Sequence, residues 1–85
     1  MVDLTIITPA APHHVPHLDR ARASVAAQSV PCEHLIMIDE EQRGPGYIRN
    51  RLIEEAQTPY VAFLDADDTL EPQFAEKALA AIRDG

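Results

Sequence analysis

Three short apolar runs alternate with three amphipathic stretches along this chain, and that alternation restricts the fold more than any other feature. The runs occupy residues 4–8, 35–38 and 60–64 and contain only apolar and threonine side chains. A continuous apolar run of this length is typical of a strand buried on both faces of a parallel sheet. We therefore predict three buried strands, the first of which ends where Pro9 opens a loop that continues through Pro12.

Each apolar run is followed by residues at helical spacing. The first helix is predicted from about Pro16 to a point before Pro31, the second after a turn at residues 44–46, and the third after Pro72. The predicted packing stripes are Leu18, Ala21, Val25 and Gln28; Ile48, Leu52, Ile53 and Ala56; and Phe74, Ala78, Leu79 and Ile82. The resulting βαβαβα order predicts an α/β, minimal Rossmann-like fold with a three-stranded parallel sheet flanked by helices.

The composition is that of one globular domain spanning residues 1–85, with 46% hydrophobic and 25% charged residues. A formal net charge of -7 argues against nucleic-acid or anionic-membrane binding, and no apolar run approaches the ~20 residues of a membrane span. The chain opens without a secretion signal, and Cys32 has no partner for a disulfide, so we expect a cytoplasmic protein with a bystander thiol. Met1 and a Gly85 that suits a helix carboxyl cap favour a complete chain.

Acidic or loop residues follow each predicted strand. They occupy residues 8–12, 39–41 and 65–68. Because the carboxyl ends of parallel strands meet at one edge of a sheet, we expect these segments to line a single crevice there. That crevice should be electronegative and should attract a cation.

Several motifs carry a resemblance to a known family. They are residues 6–9 (IITP), 24–28 (SVAAQ), 36–39 (IMID), 47–53 (YIRNRLI) and 59–68 (PYVAFLDADD), followed by Pro72. Together they resemble the donor-binding half of family 2 glycosyltransferases, which are inverting enzymes of the GT-A fold that use nucleotide-diphosphate sugars. The resemblance covers nearly the whole chain.

The resemblance implies roles for the matching positions. The contacts to the nucleotide sugar would come from Pro9, Asp39, Arg49 and Asp65, with Asp39 at the nucleobase and Arg49 beside it. Asp65 and Asp67 would form the Asp-x-Asp motif that holds Mn2+ or Mg2+ against the donor diphosphate, and Asp67 is the preferred candidate for the direct metal ligand. Hard divalent cations prefer carboxylate oxygens and leave positions open for phosphate.

The chain departs from the family pattern at three places. The acidic and small residues expected after the second strand are replaced by residues 40–42 (EEQ), and the aromatic-Asn pair after the first strand is replaced by residues 10–12 (AAP). Only residues 40–45 separate the second strand from the turn at Gly46, where the family inserts another edge strand. We therefore predict a truncated GT-A fold whose sheet has the order 2-1-3.

The chain ends after the helix that follows the Asp-x-Asp motif, so the acceptor-binding half and its carboxylate general base are absent from it. The resemblance thus implies a truncated glycosyltransferase domain in which sugar transfer needs an oligomer or a second chain of a split enzyme. The third strand would also be an exposed apolar edge, which predicts a homo-oligomer through that strand or the adjoining helix faces. The alternative is a non-catalytic, oligomerising interaction module derived from the same fold.

Each candidate site residue also has a purely structural interpretation. The aspartates at 65, 67 and 68 could be a turn and helix-start cluster, and Asp39 a solvated strand end. Arg49 is expected to pair with Glu54 or Glu55 on its own helix. His13, His14 and His17 are expected in a solvated loop rather than a metal site because Pro16 interrupts a helix that would align them, and His34 is expected to be structural.

Overall fold

A computed structural model describes residues 2–84 as three strands, three α-helices and one 3₁₀ helix, in the predicted βαβαβα order. The strands are β1 (Leu4–Ala10), β2 (Glu33–Ile38) and β3 (Tyr60–Phe63), and the α-helices are α1 (Leu18–Ala26), α2 (Pro45–Glu55) and α3 (Phe74–Asp84). The 3₁₀ helix, Pro12–His17, joins β1 to α1. The carboxyl cap expected at Gly85 lies outside the described residues.

The sheet is parallel throughout and has the order β2-β1-β3, as predicted from the sequence. The chain is therefore an α/β protein with a Rossmann-like three-stranded sheet. Helices α1 and α3 cover one face, where Ala21 and Leu79 pack with Leu4 and Ile6 of β1. Helix α2 covers the other face through Ile48 and Leu52, which pack with Ile7.

The central strand is longer than predicted because Pro9 does not end it. Pro9 pairs with Met37 of β2, and the ladder continues to Ala10. The carbonyl of Ile7 accepts the Leu64 N–H on the β3 side, so by the alternation of a strand Pro9 also faces that side. The pairing with β3 ends at Ile7, so no β3 residue lies opposite Pro9. The absence of an N–H group on Pro9 therefore costs the sheet no hydrogen bond.

The two outer strands are less buried than their apolar runs predicted. All six residues of β2 are half-buried, and in β3 Tyr60, Val61 and Phe63 are 40%, 37% and 51% exposed. Full burial needs a neighbour on both sides and a cover on both faces, and only β1 has these. The exposed apolar edge expected at the third strand is present, while Leu64, just past the strand, is buried.

The helices bury fewer residues than their stripes predicted. Leu18, Ala21 and Val25 are buried in α1 as expected, but Ile53 of α2 and Ile82 of α3 are 43% and 42% exposed. Gln28 lies beyond the end of α1 rather than on its stripe. Within residues 2–84 no helix combines the length and apolarity that crossing a bilayer requires.

Threonine and histidine form a polar pair within the sheet. The Thr8 hydroxyl, which is fully buried, is hydrogen-bonded to Nε2 of His34 at 2.8 Å. Burial lowers the pKa of His34, and the nearby Arg22 guanidinium lowers that pKa further. The neutral imidazole is thereby favoured, in agreement with a structural role for this histidine.

The single cysteine is a half-buried thiol whose sulfur lies 3.6 Å from the carbonyl oxygen of Val30. Burial raises the pKa of the Cys32 thiol. Since the thiolate is the reactive form, this environment fits a bystander rather than a nucleophile.

Candidate active site

The carboxyl ends of β1 and β3 and the first turns of α2 enclose a cavity of about 310 Å3. All five residues assigned to the site from the sequence line it, namely Pro9, Asp39, Arg49, Asp65 and Asp67. The rest of its lining is Ala10, Ala11, His14, Pro45, Ile48 and Ala66. The parallel topology brings together residues that lie up to 58 positions apart in the chain, which is the arrangement expected of a ligand site in this fold class.

A tight turn after β3 presents the two aspartates of the Asp-x-Asp motif. Ala66 between them is 2% exposed and packs with Ala10 and Leu18, whereas Asp65 and Asp67 are exposed. The Asp68 N–H donates to the Asp65 carbonyl at 3.0 Å, which closes the turn. The buried alanine thus anchors the turn so that the carboxylates on either side are available to a ligand.

The helix-start interpretation of these aspartates is wrong. Helix α3 begins at Phe74, well beyond Asp68, and the Asp68 carboxylate accepts the N–H of its neighbour Thr69 at 2.9 Å. Asp68 does not line the cavity. Asp65 and Asp67 therefore line the cavity, whereas the Asp68 carboxylate makes a local contact within the turn.

The side chain of Gln28 links α1 by hydrogen bonds to the segment that follows the aspartate turn. Its amide nitrogen donates to the carbonyls of Ser24 and Glu71 at 3.1 and 2.7 Å, and its side-chain oxygen accepts the Ala75 N–H at 2.9 Å. The Ser29 N–H adds a bond to the Pro72 carbonyl at 2.8 Å. The sequence pattern identified Gln28 as a motif residue, but only the packing of α1 against the start of α3 reveals its contacts.

Asp39 is not a solvated strand end. Its two carboxylate oxygens accept the backbone N–H groups of Arg43 and Gly44 at 2.8 and 2.7 Å. Gly44 has a φ of 97° just before α2, a conformation that favours glycine. Asp39 therefore holds the loop that starts α2, and each of its oxygens keeps one lone pair for a ligand.

Arg49 does not form the ion pair expected from its neighbours on the helix. Among residues 2–84 no ion pair joins it to Glu54 or Glu55. Its guanidinium carbon lies 5.7 Å from the centroid of the Phe63 ring, at the end of β3. This cation–π contact places the guanidinium at the cavity wall and leaves its N–H groups available to a ligand.

The acidic segment after β2 is divided between two cavities, contrary to the single crevice expected. Glu40 and Glu41 line a neighbouring cavity of about 240 Å3 that shares Asp39 with the first. Arg43 also lines this second cavity. Its guanidinium forms an ion pair with the Glu41 carboxylate at 3.3 Å, and the guanidinium carbon lies 5.0 Å from the centroid of the Tyr47 ring. The first cavity is thus lined by three carboxylates and one arginine.

The donor set of the first cavity fits a divalent cation only in part. Asp65 and Asp67 supply carboxylate oxygens at its rim, but no three acidic, histidine or cysteine side chains in residues 2–84 form a complete metal site. Magnesium and similar hard cations often bind through one or two carboxylates together with substrate phosphates. The residues therefore fit a cation whose remaining ligands come from a phosphate-bearing molecule and water.

The 3₁₀ helix contributes a site residue that the sequence did not predict. The loop expected here is instead this 3₁₀ helix, which includes Pro16. His13 and His17 are exposed, as expected, but His14 is half-buried and lines the cavity. No motif in the sequence distinguishes His14 from its neighbours. Its position depends on the turn taken by the chain after Ala11.

Comparison with known proteins gives the same identification over most of the chain. The family model described as Glycosyl transferase family 2 matches residues 18–85. A stretch of 48 residues, 56% of this chain, is 40% identical to the putative glycosyltransferase EpsH of Bacillus subtilis (strain 168), and it covers 14% of that protein. No solved structure matches. The family match includes β2, β3 and the Asp-x-Asp turn between β3 and α3, so this chain belongs to glycosyl transferase family 2.

Proposed function

We propose that this chain binds a nucleotide-diphosphate sugar in the cavity at the carboxyl end of its sheet, as part of a glycosyltransferase. The observation that carries the proposal is that one cavity of about 310 Å3 is lined by five residues from four separate segments of the chain, namely Pro9, Asp39, Arg49, Asp65 and Asp67. That volume is at the lower end of the ~300–1,000 Å3 typical of small-molecule sites. The nucleotide and its diphosphate would therefore occupy it with part of the ligand exposed.

Asp67, with Asp65, would hold Mn2+ or Mg2+ against the diphosphate. A bound divalent cation offsets the charge that develops on the leaving diphosphate. Arg49 would add N–H donors to the ligand, and Asp39 would accept a hydrogen bond from the nucleobase through its free lone pairs. Since two exposed carboxylates make a weak site alone, cation and nucleotide should each strengthen the binding of the other.

Calorimetric titration with UDP and with GDP, each with and without Mn2+, tests this proposal. We expect at least one nucleotide to bind, and its affinity to fall at least about tenfold when the cation is withheld, because each charged contact contributes about 1.5–3 kcal/mol. Mn2+ titrated alone should bind more weakly than in the presence of nucleotide. Absence of binding to either nucleotide at millimolar concentration with Mn2+ would contradict the proposal.

Sugar transfer itself would require a group that deprotonates the acceptor hydroxyl. In the proposal, that base is supplied by an acceptor-binding part beyond these 85 residues, on the same chain or on another. The 48-residue match to 14% of EpsH leaves most of that relative without a counterpart here. We place the activity in a reducing compartment such as the cytoplasm, since the sequence has a single cysteine.

The exposed edge of β3 favours a second function, that of an oligomerising interaction module. Tyr60 and Leu64 donate their N–H groups toward β1, so by alternation Val61 and Phe63 direct their backbone groups to the open edge. The occupant we propose is β3 of a second copy, paired antiparallel about a two-fold axis. Antiparallel pairing would place the acidic turns of the two copies at opposite ends, which limits their repulsion.

Replacement of Val61 by lysine tests the oligomer. We expect the wild-type chain to sediment as a dimer at micromolar concentration and Val61→Lys as a monomer, because a charged side chain on an edge strand opposes pairing. Added salt should strengthen wild-type association, since each copy carries a net charge of -7. Ile82→Lys, at a similarly exposed position on α3, should remain dimeric. A monomeric wild-type chain in analytical ultracentrifugation would rule out this interface.

A further inference from the structure

One polar side chain outside the family match lines the candidate site. His14 precedes residue 18, where the family match begins, and it lines the main cavity with Arg49 and Asp67. It also lines an adjoining cavity of about 300 Å3, again together with Asp67. The imidazole of His14 therefore borders both spaces next to the second aspartate of the Asp-x-Asp motif.

The ring of His14 is held in place by its own loop. The Ala11 N–H donates to His14 Nδ1 at 3.0 Å, and the His14 N–H donates to the Ala11 carbonyl at 2.9 Å. The ring also contacts that of His13, with centroids 4.2 Å apart. Pro12 and Pro16 fix the backbone φ on either side, so little further freedom is lost when a ligand binds.

This geometry determines which nitrogen can serve a ligand. Because Nδ1 accepts a hydrogen bond from the backbone, the neutral ring carries its proton on Nε2, which is then a donor. Among the side chains that line the main cavity only His14 and Arg49 have N–H donors, while Asp39, Asp65 and Asp67 are acceptors. An acceptor-rich group beside Asp67 would thus find a lining donor in His14, which shares both cavities with that aspartate.

We propose that His14 Nε2–H donates a hydrogen bond to a diphosphate oxygen of the bound nucleotide. The inference rests on the proposed function, since it concerns the same ligand. Residues 10–12 offer no side-chain donor, so His14 is the first residue after β1 that can supply one to the cavity. A fixed donor beside a cation-bound phosphate adds affinity and orients the diphosphate.

Two near-isosteric substitutions separate ligand binding from loop capping. In His14→Asn, the side-chain oxygen can replace Nδ1 as acceptor of the Ala11 N–H, but the N–H donor at the position of Nε2 is lost. In His14→Gln, the amide nitrogen supplies a donor near the position of Nε2, but the acceptor of the Ala11 N–H is lost. With UDP or GDP and Mg2+ in calorimetry, we expect His14→Asn to bind about tenfold more weakly than wild type and His14→Gln to stay within about threefold. His17→Ala, outside the main cavity, should bind like wild type.

The outcomes distinguish this inference from the proposed function. If the wild-type chain binds neither nucleotide, the proposed function fails and the role of His14 fails with it. If wild type binds and His14→Asn binds equally well, or His14→Gln weakens as much as His14→Asn, only the role of His14 is overturned. Nitrogen-15 NMR adds an independent readout: the Nε2–H signal of His14 should shift on addition of UDP or GDP with Mg2+, while the signals of His13 and His17 should stay in place.

Discussion

Asp67→Asn is expected to lower metal-dependent nucleotide affinity about 100-fold, as measured by calorimetry with UDP or GDP and Mn2+. Asparagine has nearly the same shape as aspartate and keeps one oxygen, but it loses the negative charge that holds a hard cation. Asp67 is exposed and lines the cavity, so the substitution removes no packing contact. Asp65→Asn should also lower this affinity, but by a smaller factor, because Asp67 is the preferred candidate for the direct metal ligand.

The matched control for this prediction lies one residue further along the chain. Asp68→Asn makes the same chemical change in the same turn, but Asp68 accepts the Thr69 N–H and does not line the cavity. Its affinity should therefore equal that of the wild type, and circular dichroism should show all three variants folded. Wild-type affinity in Asp67→Asn, with the metal dependence intact, would disprove a role for the Asp-x-Asp turn in holding the cation.

Leu52→Ala is expected to reduce the free energy of unfolding by about 2–5 kcal/mol, the usual cost of deleting a fully buried leucine. Leu52 is 1% exposed, and with Ile48 it packs α2 against Ile7. Among residues 2–84, α2 is the helix that covers this face of the sheet. A domain of this size is stable by about 5–15 kcal/mol, so the loss is a large share of the total. Equilibrium unfolding in urea measures it, and Leu52→Val should fall between alanine and wild type if the alanine variant does not fold.

The neighbouring isoleucine supplies the control for the core prediction. Ile53→Ala alters the same turn of α2, but Ile53 is 43% exposed, so its cost should be about 0.5 kcal/mol or less. The sequence assigned Leu52 and Ile53 to one apolar stripe, and the two variants measure which of them the helix buries. Equal losses for both would contradict the packing of α2 described here.

The site was largely predictable because its residues follow strands. Asp39, Asp65 and Asp67 come directly after apolar runs, and in a parallel sheet the ends of such runs meet. What could not be predicted is the local hydrogen bonding. The two carboxylate oxygens of Asp39 accept the backbone N–H groups of Arg43 and Gly44. Arg49 contacts the Phe63 ring rather than a glutamate on its own helix. Such contacts depend on side-chain directions that residue spacing does not encode.

The order of elements, the parallel sheet and the edge at which the acidic residues lie all follow from the apolar pattern of the chain. Apolar periodicity predicts each strand and helix locally, and the rules for parallel connections predict how these elements assemble into a sheet. Three further features appear only in the folded chain: Pro9 continues β1, β2 and β3 are partly exposed, and His14 lines the cavity. Each of these depends on which strand lacks a neighbour and on where the chain turns after β1, and therefore on contacts between residues distant in sequence.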